Sequence, residues 1–205
     1  MNTPNVDDAI VRFPLAGGRG VLVGEIILTA AHCVSFKTDG SMIVGGYIIE
    51  EIETRHRDRL KVRPLAVEPV ADIAVLGCLD AQVFPDEARA FEEYRQATTS
   101  VCLARRIIPA GNGYPIQFPI SVLNANGQWT NGEAELFDES GPFICIAAES
   151  EIEGGSSGGP ILNEHGELVA IVSHSSRPTP GVKSSGDSPR PLQALPVWIC
   201  EKYLR

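Results

Sequence analysis

A chain of 205 residues, 43% hydrophobic and 21% charged, has the make-up of an ordinary soluble globular protein with room for one or two compact domains. Its net charge of −9 and pI near 4.9 argue against nucleic acid or an anionic membrane as partners. Its longest apolar runs are too short to span a bilayer.

The chain opens without a basic start or an apolar stretch, so no signal peptide is visible, and a cytoplasmic location is expected if Met1 is the native start. The first half is then rich in short β-type segments. Residues 20–23 and 25–29 are separated by Gly24, which suggests a tight turn, and residues 42–44 and 47–52 flank Gly45-Gly46. Residues 60–65 alternate apolar and basic side chains, and residues 72–76 form a candidate buried strand. Many short strands with glycine turns and little helix point to an all-β sandwich or barrel. Residues 85–97 break that pattern: acidic residues crowd the start and good helix formers follow, which predicts a short helix docked by Phe91 and Tyr94. Strands resume at Val101. Residues 124–127 and 130–132 both carry turn chemistry, residues 143–147 are a buried run, and residues 167–173 follow a turn at Gly166. Residues 177–190, full of Pro, Gly and Ser, read as a mobile loop, and residues 196–204 read as a closing helix.

Five cysteines, Cys33, Cys78, Cys102, Cys145 and Cys200, are odd in number and irregular in spacing, which is neither a disulfide framework nor a zinc pattern. They read as small reduced thiols, and no cofactor or metal is expected.

Chemistry concentrates at Gly154-Gly155-Ser156-Ser157-Gly158-Gly159-Pro160. Glycines let main-chain N–H groups approach a ligand closely, so a serine among them can present its oxygen beside two donors, as acyl transfer requires. Gly/Ser clusters also mark plain loops, so the serine needs a base and an acid from elsewhere. His32 follows a strand among small residues. Asp72 stands at the mouth of an apolar strand, where a buried acid needs a donor such as a histidine N–H. His32, Asp72 and Ser157 run in that order, each at the edge of a β segment. His56, between Arg55 and Arg57, and His165, in a turn, read as surface residues.

Thr29-Ala30-Ala31-His32-Cys33, Asp72-Ile73-Ala74-Val75-Leu76 and Gly155-Ser156-Ser157-Gly158-Gly159-Pro160 resemble the three signature segments of the chymotrypsin/trypsin-like serine peptidases. Leu168-Val169-Ala170-Ile171-Val172-Ser173 resembles the strand that lines that family's substrate cleft, and the similarity runs from about Gly18 nearly to the end of the chain. The resemblance implies two antiparallel six-stranded β-barrels with the site between them. The first barrel (1–84) would carry His32 and Asp72, a linker helix (85–98) would follow, and the second barrel (99–205) would carry Ser157 and the closing helix. Ser157 would be the nucleophile, His32 the general base and Asp72 its orienting acid, with the N–H groups of Gly155 and Ser157 as the oxyanion hole.

The same resemblance puts Glu151, six residues before Ser157, at the base of the primary specificity pocket, with Glu153 close by. An acid there would favour Arg or Lys in a peptide or protein substrate, although a solvated acidic loop explains both residues equally well. Ser173, His174 and Ser175 would form the pocket's edge, and Pro180-Gly181-Val182 resembles its opposite wall.

Three departures bear on regulation. Ser156 replaces the aspartate that digestive members pair with a newly cut N-terminus. Ile43-Val44-Gly45-Gly46 resembles such an N-terminus but follows His32, so its release would sever the base. Cys33 lacks a partner cysteine shortly upstream. Together they are similar to bacterial, intracellular trypsin-like or HtrA-like domains without zymogen cleavage, restrained by an activator protein, flanking domains or the 177–190 loop. The alternative is a silent or latent module that binds protein. The G-x-S-x-G elbow of α/β-hydrolases is excluded, because there the acid and histidine follow the serine and helices alternate with strands.

Overall fold

The computed structural model describes residues 6–35, 48–69, 72–104, 116–136, 143–148, 152, 154–173 and 191–194. Strand β1 (Ile10–Arg12) leads into β2 (Arg19–Val23), and Gly24, at φ +59°, reverses the chain in two residues into β3 (Ile26–Ala30). Glycine at the first central position is what a two-residue hairpin of this twist demands. Strands β4 (Glu50–Glu53), β5 (Arg59–Glu68) and β6 (Ile73–Gly77) complete the antiparallel order β1-β2-β3-β6-β5-β4. Glu53 of β4 pairs back onto Arg12 of β1 and closes a six-stranded barrel. The alternation read in β5 is realised, with Leu60 and Val62 buried and Arg59 and Lys61 exposed.

Helix α1 (Pro85–Ala97) lies where the sequence predicts it, with proline opening the first turn and Asp86 and Glu87 set against the positive end of the helix dipole. Phe91 is fully buried in the barrel's core, and the Tyr94 hydroxyl donates to the Asp8 carbonyl at 3.0 Å, so both rings dock the helix as expected. Beyond α1 the chain crosses over. The Val101 N–H donates to Leu22 O (2.9 Å), Leu168 N–H to Cys102 O (2.8 Å) and Ala104 N–H to Leu168 O (3.0 Å).

Those bonds deliver the chain to a second antiparallel sheet of β7 (Ile116–Leu123), β8 (Trp129–Leu136), β9 (Phe143–Ala148), β10 (Pro160–Asn163), β11 (Leu168–Val172) and β12 (Pro191–Ala194). Its ladder runs β10-β11-β12-β9-β8-β7, and β10 also pairs with β7. Residues 124–127 form the turn between β7 and β8 as predicted, with Gly127 at φ +83°. The second expected turn, at residues 130–132, is instead interior to β8. There Gly132 pairs with Ile120 on one side and Ala148 on the other, and cross-strand pairing on both edges overrides the local turn preference.

Strand β11 is buried along its whole length. Leu168 and Ile171 join the core of the first barrel, while Val169, Ala170 and Val172 join that of the second sheet. The two halves therefore share a packed seam, and the site lies on it. The strand expected at 42–44, the loop at 177–190 and the closing helix at 196–204 lie outside the described residues. Among those residues α1 is the single α-helix, and no helix is long and apolar enough to cross a membrane.

Candidate active site

At the end of β3 a single 3-10 turn, Ala31–Cys33, carries His32 out of the sheet. Ala30 and Ala31 are both buried, and their small side chains let Asp72 approach closely. Asp72 precedes β6 at φ +51°, a left-handed conformation that costs a non-glycine residue roughly 1–2 kcal/mol. It brings two acceptors of one residue onto the His32 turn. The Asp72 carbonyl accepts the Ala31 N–H at 3.0 Å, and carboxylate Oδ1 accepts the His32 main-chain N–H at 3.0 Å. The His32 ring closes on the same carboxylate, with Nδ1 2.8 Å from Oδ2 and 3.1 Å from Oδ1. A carboxylate only accepts, so Nδ1 carries the proton, and in the neutral ring Nε2 keeps its lone pair. The buried Ser173 hydroxyl then donates to Oδ2 at 2.6 Å, so an Asp72 side chain only 12% exposed has donors on both carboxylate oxygens.

The Ser157 loop arrives from the second sheet. Gly159 N–H donates to Ser156 O at 2.8 Å and closes a turn with Ser157 and Gly158 at its centre; Gly158, at φ +75°, occupies the left-handed position that a type II turn requires. Two further bonds strap the turn to β11: Gly158 N–H to Val172 O (2.6 Å) and Val172 N–H to Gly159 O (2.9 Å). The next residue after Val172 is Ser173, which holds Asp72. On its other flank the Ser157 carbonyl accepts the Arg19 N–H at 2.8 Å and lies 3.7 Å from Cys33 Sγ, beside His32. His32, Asp72 and Ser173 are thus joined by hydrogen bonds, and Ser157 is brought alongside through its main chain. Gly155 adjoins at φ +97°, and among the described residues the N–H groups of Gly155 and Ser157 donate to no main-chain carbonyl.

The family model of the trypsin-like peptidase domain matches residues 18–171, a stretch that contains His32, Asp72 and the Ser157 turn and stops just short of Val172 and Ser173. The chain belongs to this family. Comparison with curated proteins gives no match. Among solved structures this trypsin-like domain is similar to an inactive, mutant form of Rv3671c from M. tuberculosis H37Rv, at 18% identity and a TM-score of 0.48, over 85% of this chain and 80% of that one.

Two residues of the trypsin-like site have roles that sequence reading missed. Ser173, expected at a pocket edge, has its hydroxyl committed to Asp72; the available signal was a polar residue closing an entirely apolar strand. Arg19, left outside the predicted strand, is buried and ties three elements together. Its N–H holds Ser157, its carbonyl accepts the Thr29 hydroxyl at 2.6 Å, and its guanidinium donates to the Ala125 carbonyl in the β7–β8 turn. Among the described residues, two buried side-chain polar atoms lack a partner, Arg19 Nε and Ser156 Oγ, and both residues border the Ser157 turn. Buried polar atoms left unsatisfied are uncommon, and functional sites are one place where they occur.

Cys33 is a neutral thiol here. Burial first, and then the Asp72 carboxylate, push it up to about 11 against the opposing pull of Thr29. Gly18 packs directly against this thiol, a Cβ there lying only 2.3 Å from Cys33 Sγ. His56 and His165 are exposed, as read from the sequence. Glu151, Glu153, His174, Ser175 and residues 180–182 lie outside the described residues; Ile152, between the two acids, is half-buried against the core of the second sheet.

Proposed function

We propose that this domain is a serine endopeptidase whose triad, His32, Asp72 and Ser157, works in the cleft between two six-stranded antiparallel β-barrels. The observation that carries the reading is the hydrogen-bond chain His32–Asp72–Ser173 set beside a glycine-flanked Ser157 turn. Ser157 Oγ attacks the substrate carbonyl carbon while His32 Nε2 takes its proton, giving a tetrahedral adduct and an imidazolium stabilised by Asp72. His32 then protonates the leaving amine, the C–N bond breaks, and an acyl-enzyme remains. Water, deprotonated by the same nitrogen, releases the acid and restores Ser157. The N–H groups of Gly155 and Ser157 receive the developing oxyanion, a donor type worth about 100- to 1,000-fold in rate.

A phosphonate probe tests this directly. One probe per chain is expected on Ser157 by peptide mapping, lost in Ser157→Ala and strongly slowed in His32→Ala. Folded protein that stays unlabelled, also in the presence of candidate activators, overturns the peptidase reading in favour of a silent binding module.

Glu151 is assigned to the acyl-side pocket, where a shielded carboxylate favours Arg or Lys through charge-assisted hydrogen bonds. A peptide library is expected to be cut mainly after those two residues, with Glu151→Gln lowering kcat/KM for them about tenfold or more. A profile dominated by small or apolar residues sinks that assignment.

A further inference from the structure

Arg12 and Arg19 stand directly opposite each other in the β1–β2 ladder, an arrangement in which like charges repel. Arg19 is only 4% exposed; its Nη2 contacts a neutral carbonyl and its buried Nε has no partner. Both guanidinium groups converge on Gly127, their Nη2 atoms lying 3.8 and 3.9 Å from the position a Cβ would take there. Among the described residues no carboxylate lies within ion-pair distance of either. The nearby acids are engaged elsewhere, Glu53 with Arg57 at 2.6 Å and Asp7 with Arg55 at 3.2 Å and Trp129 Nε1 at 3.1 Å. Burial, and then Arg12, depress the pKa of the Arg19 guanidinium, the direction expected of a cation lacking a counter-charge.

The two arginines, with the ion-paired Glu53 and Arg57 beside them, line a groove of about 380 Å³ that runs over Phe13 and Gly18 to Gly154 and Gly155, beside Ser157. This volume exceeds several times the roughly 30 Å³ share of one water molecule, so a side chain fits. Ser157 separates two flanks: β11 and Ser173 on one, and Gly18 and Arg19 on the other. Ser173, expected at the edge of the acyl-side pocket, belongs to the first flank and does not line the groove.

We propose that this groove is a leaving-group-side specificity site in which Arg12 and Arg19 clamp the carboxylate of an Asp or Glu of the substrate. The assignment rests on Ser157 being the nucleophile. Two planar guanidinium forks lining one groove, neither of them ion-paired among the described residues, suit a carboxylate. A groove that opens at the Ser157 loop suits a carboxylate borne on the peptide being cut.

The test compares peptides that differ only by Asp or Asn at each of the first three positions after the cut bond. The acidic member is expected to have about tenfold higher kcat/KM at one of those positions. Arg12→Gln, on the exposed face of β1, removes that advantage, and Arg12→Glu turns the preference towards Lys. An acid advantage absent from all three positions, or one that survives in Arg12→Gln, overturns the clamp. Inorganic phosphate that stimulates cleavage of the neutral peptide also overturns it, because the site then serves a free anion. Binding of the same peptides to Ser157→Ala, read by fluorescence anisotropy, separates the two proposals. If no peptide is cut but the acidic one still binds more tightly through Arg12, the clamp stands and the peptidase reading falls. Equal binding, with Arg12→Gln lowering the melting temperature, places a carboxylate of the chain itself in the groove and overturns the clamp.

Discussion

Asp72→Asn is expected to leave the fold intact and to lower kcat by about 10⁴-fold, the effect of the same exchange in a well-studied triad. The carboxylate accepts from the His32 N–H and ring at Oδ1, and from the ring and the Ser173 hydroxyl at Oδ2. An amide keeps one acceptor and turns the other into a donor. If its oxygen stays on the His32 main chain, its NH₂ faces Nδ1 at the 2.8 Å contact, and the ring must carry its proton on Nε2, where it cannot take one from Ser157. If the amide is reversed, NH₂ faces the His32 N–H, and a buried donor–donor clash costs about 1–3 kcal/mol. The first arrangement is cheaper, because the Ser173 hydroxyl can rotate to accept. Stability should therefore fall by about 1 kcal/mol, with KM little changed, while turnover collapses. The variant is checked by near-UV circular dichroism, a denaturant midpoint and single-turnover kinetics. A folded Asp72→Asn enzyme within tenfold of the parent would remove Asp72 from the mechanism.

What was legible in the sequence and what was not divide along contact range. The β2–β3 hairpin, helix α1 and the glycine turns at Gly127 and Gly166 follow from residues adjacent in the chain, so local chemistry sufficed. His32, Asp72 and Ser157 were marked by short segments whose small and apolar neighbours signal a strand end. The bond from Ser173 to Asp72 joins residues 101 positions apart and exists only because the two halves dock along β11, so no local pattern announces it. Arg19 was missed because an arginine beside an apolar run reads as a strand boundary, yet its N–H, stem and guanidinium all meet the second sheet's loops. The turn expected at 130–132 shows the same limit, because partners on both sides of β8 decided its conformation.

Docking of the two halves is also what Gly158→Ala is expected to break. A Cβ at Gly158 would lie 2.1 Å from the Arg19 carbonyl oxygen, 2.3 Å from Thr29 Oγ1 and 2.9 Å from the Ala30 nitrogen. Two of these atoms are main chain in paired strands, and the third is held at 2.6 Å from that same carbonyl, so none is a side-chain tip that can swing away. The residue also sits at φ +75°, which adds roughly 1–2 kcal/mol for a side chain. Relief requires the turn to lift from the first barrel, breaking the bond from Arg19 N–H to Ser157 O, worth about 1 kcal/mol, on top of the usual 1–3 kcal/mol of overpacking. The total, about 3–6 kcal/mol, is a large share of the 5–15 kcal/mol by which domains are stable. Protein that does fold holds Ser157 displaced, and about 1 Å of misplacement suffices for a hundredfold loss in rate. Gly154→Ala is the control, because no atom lies within 4 Å of its Cβ and a surface substitution of this kind stays within about 0.5 kcal/mol. Denaturant midpoints and phosphonate labelling rates, measured on both variants, decide the matter. If the two behave alike, the turn does not depend on its seat against Arg19 and Thr29, and the alignment of Ser157 with His32 must be set from β11 alone.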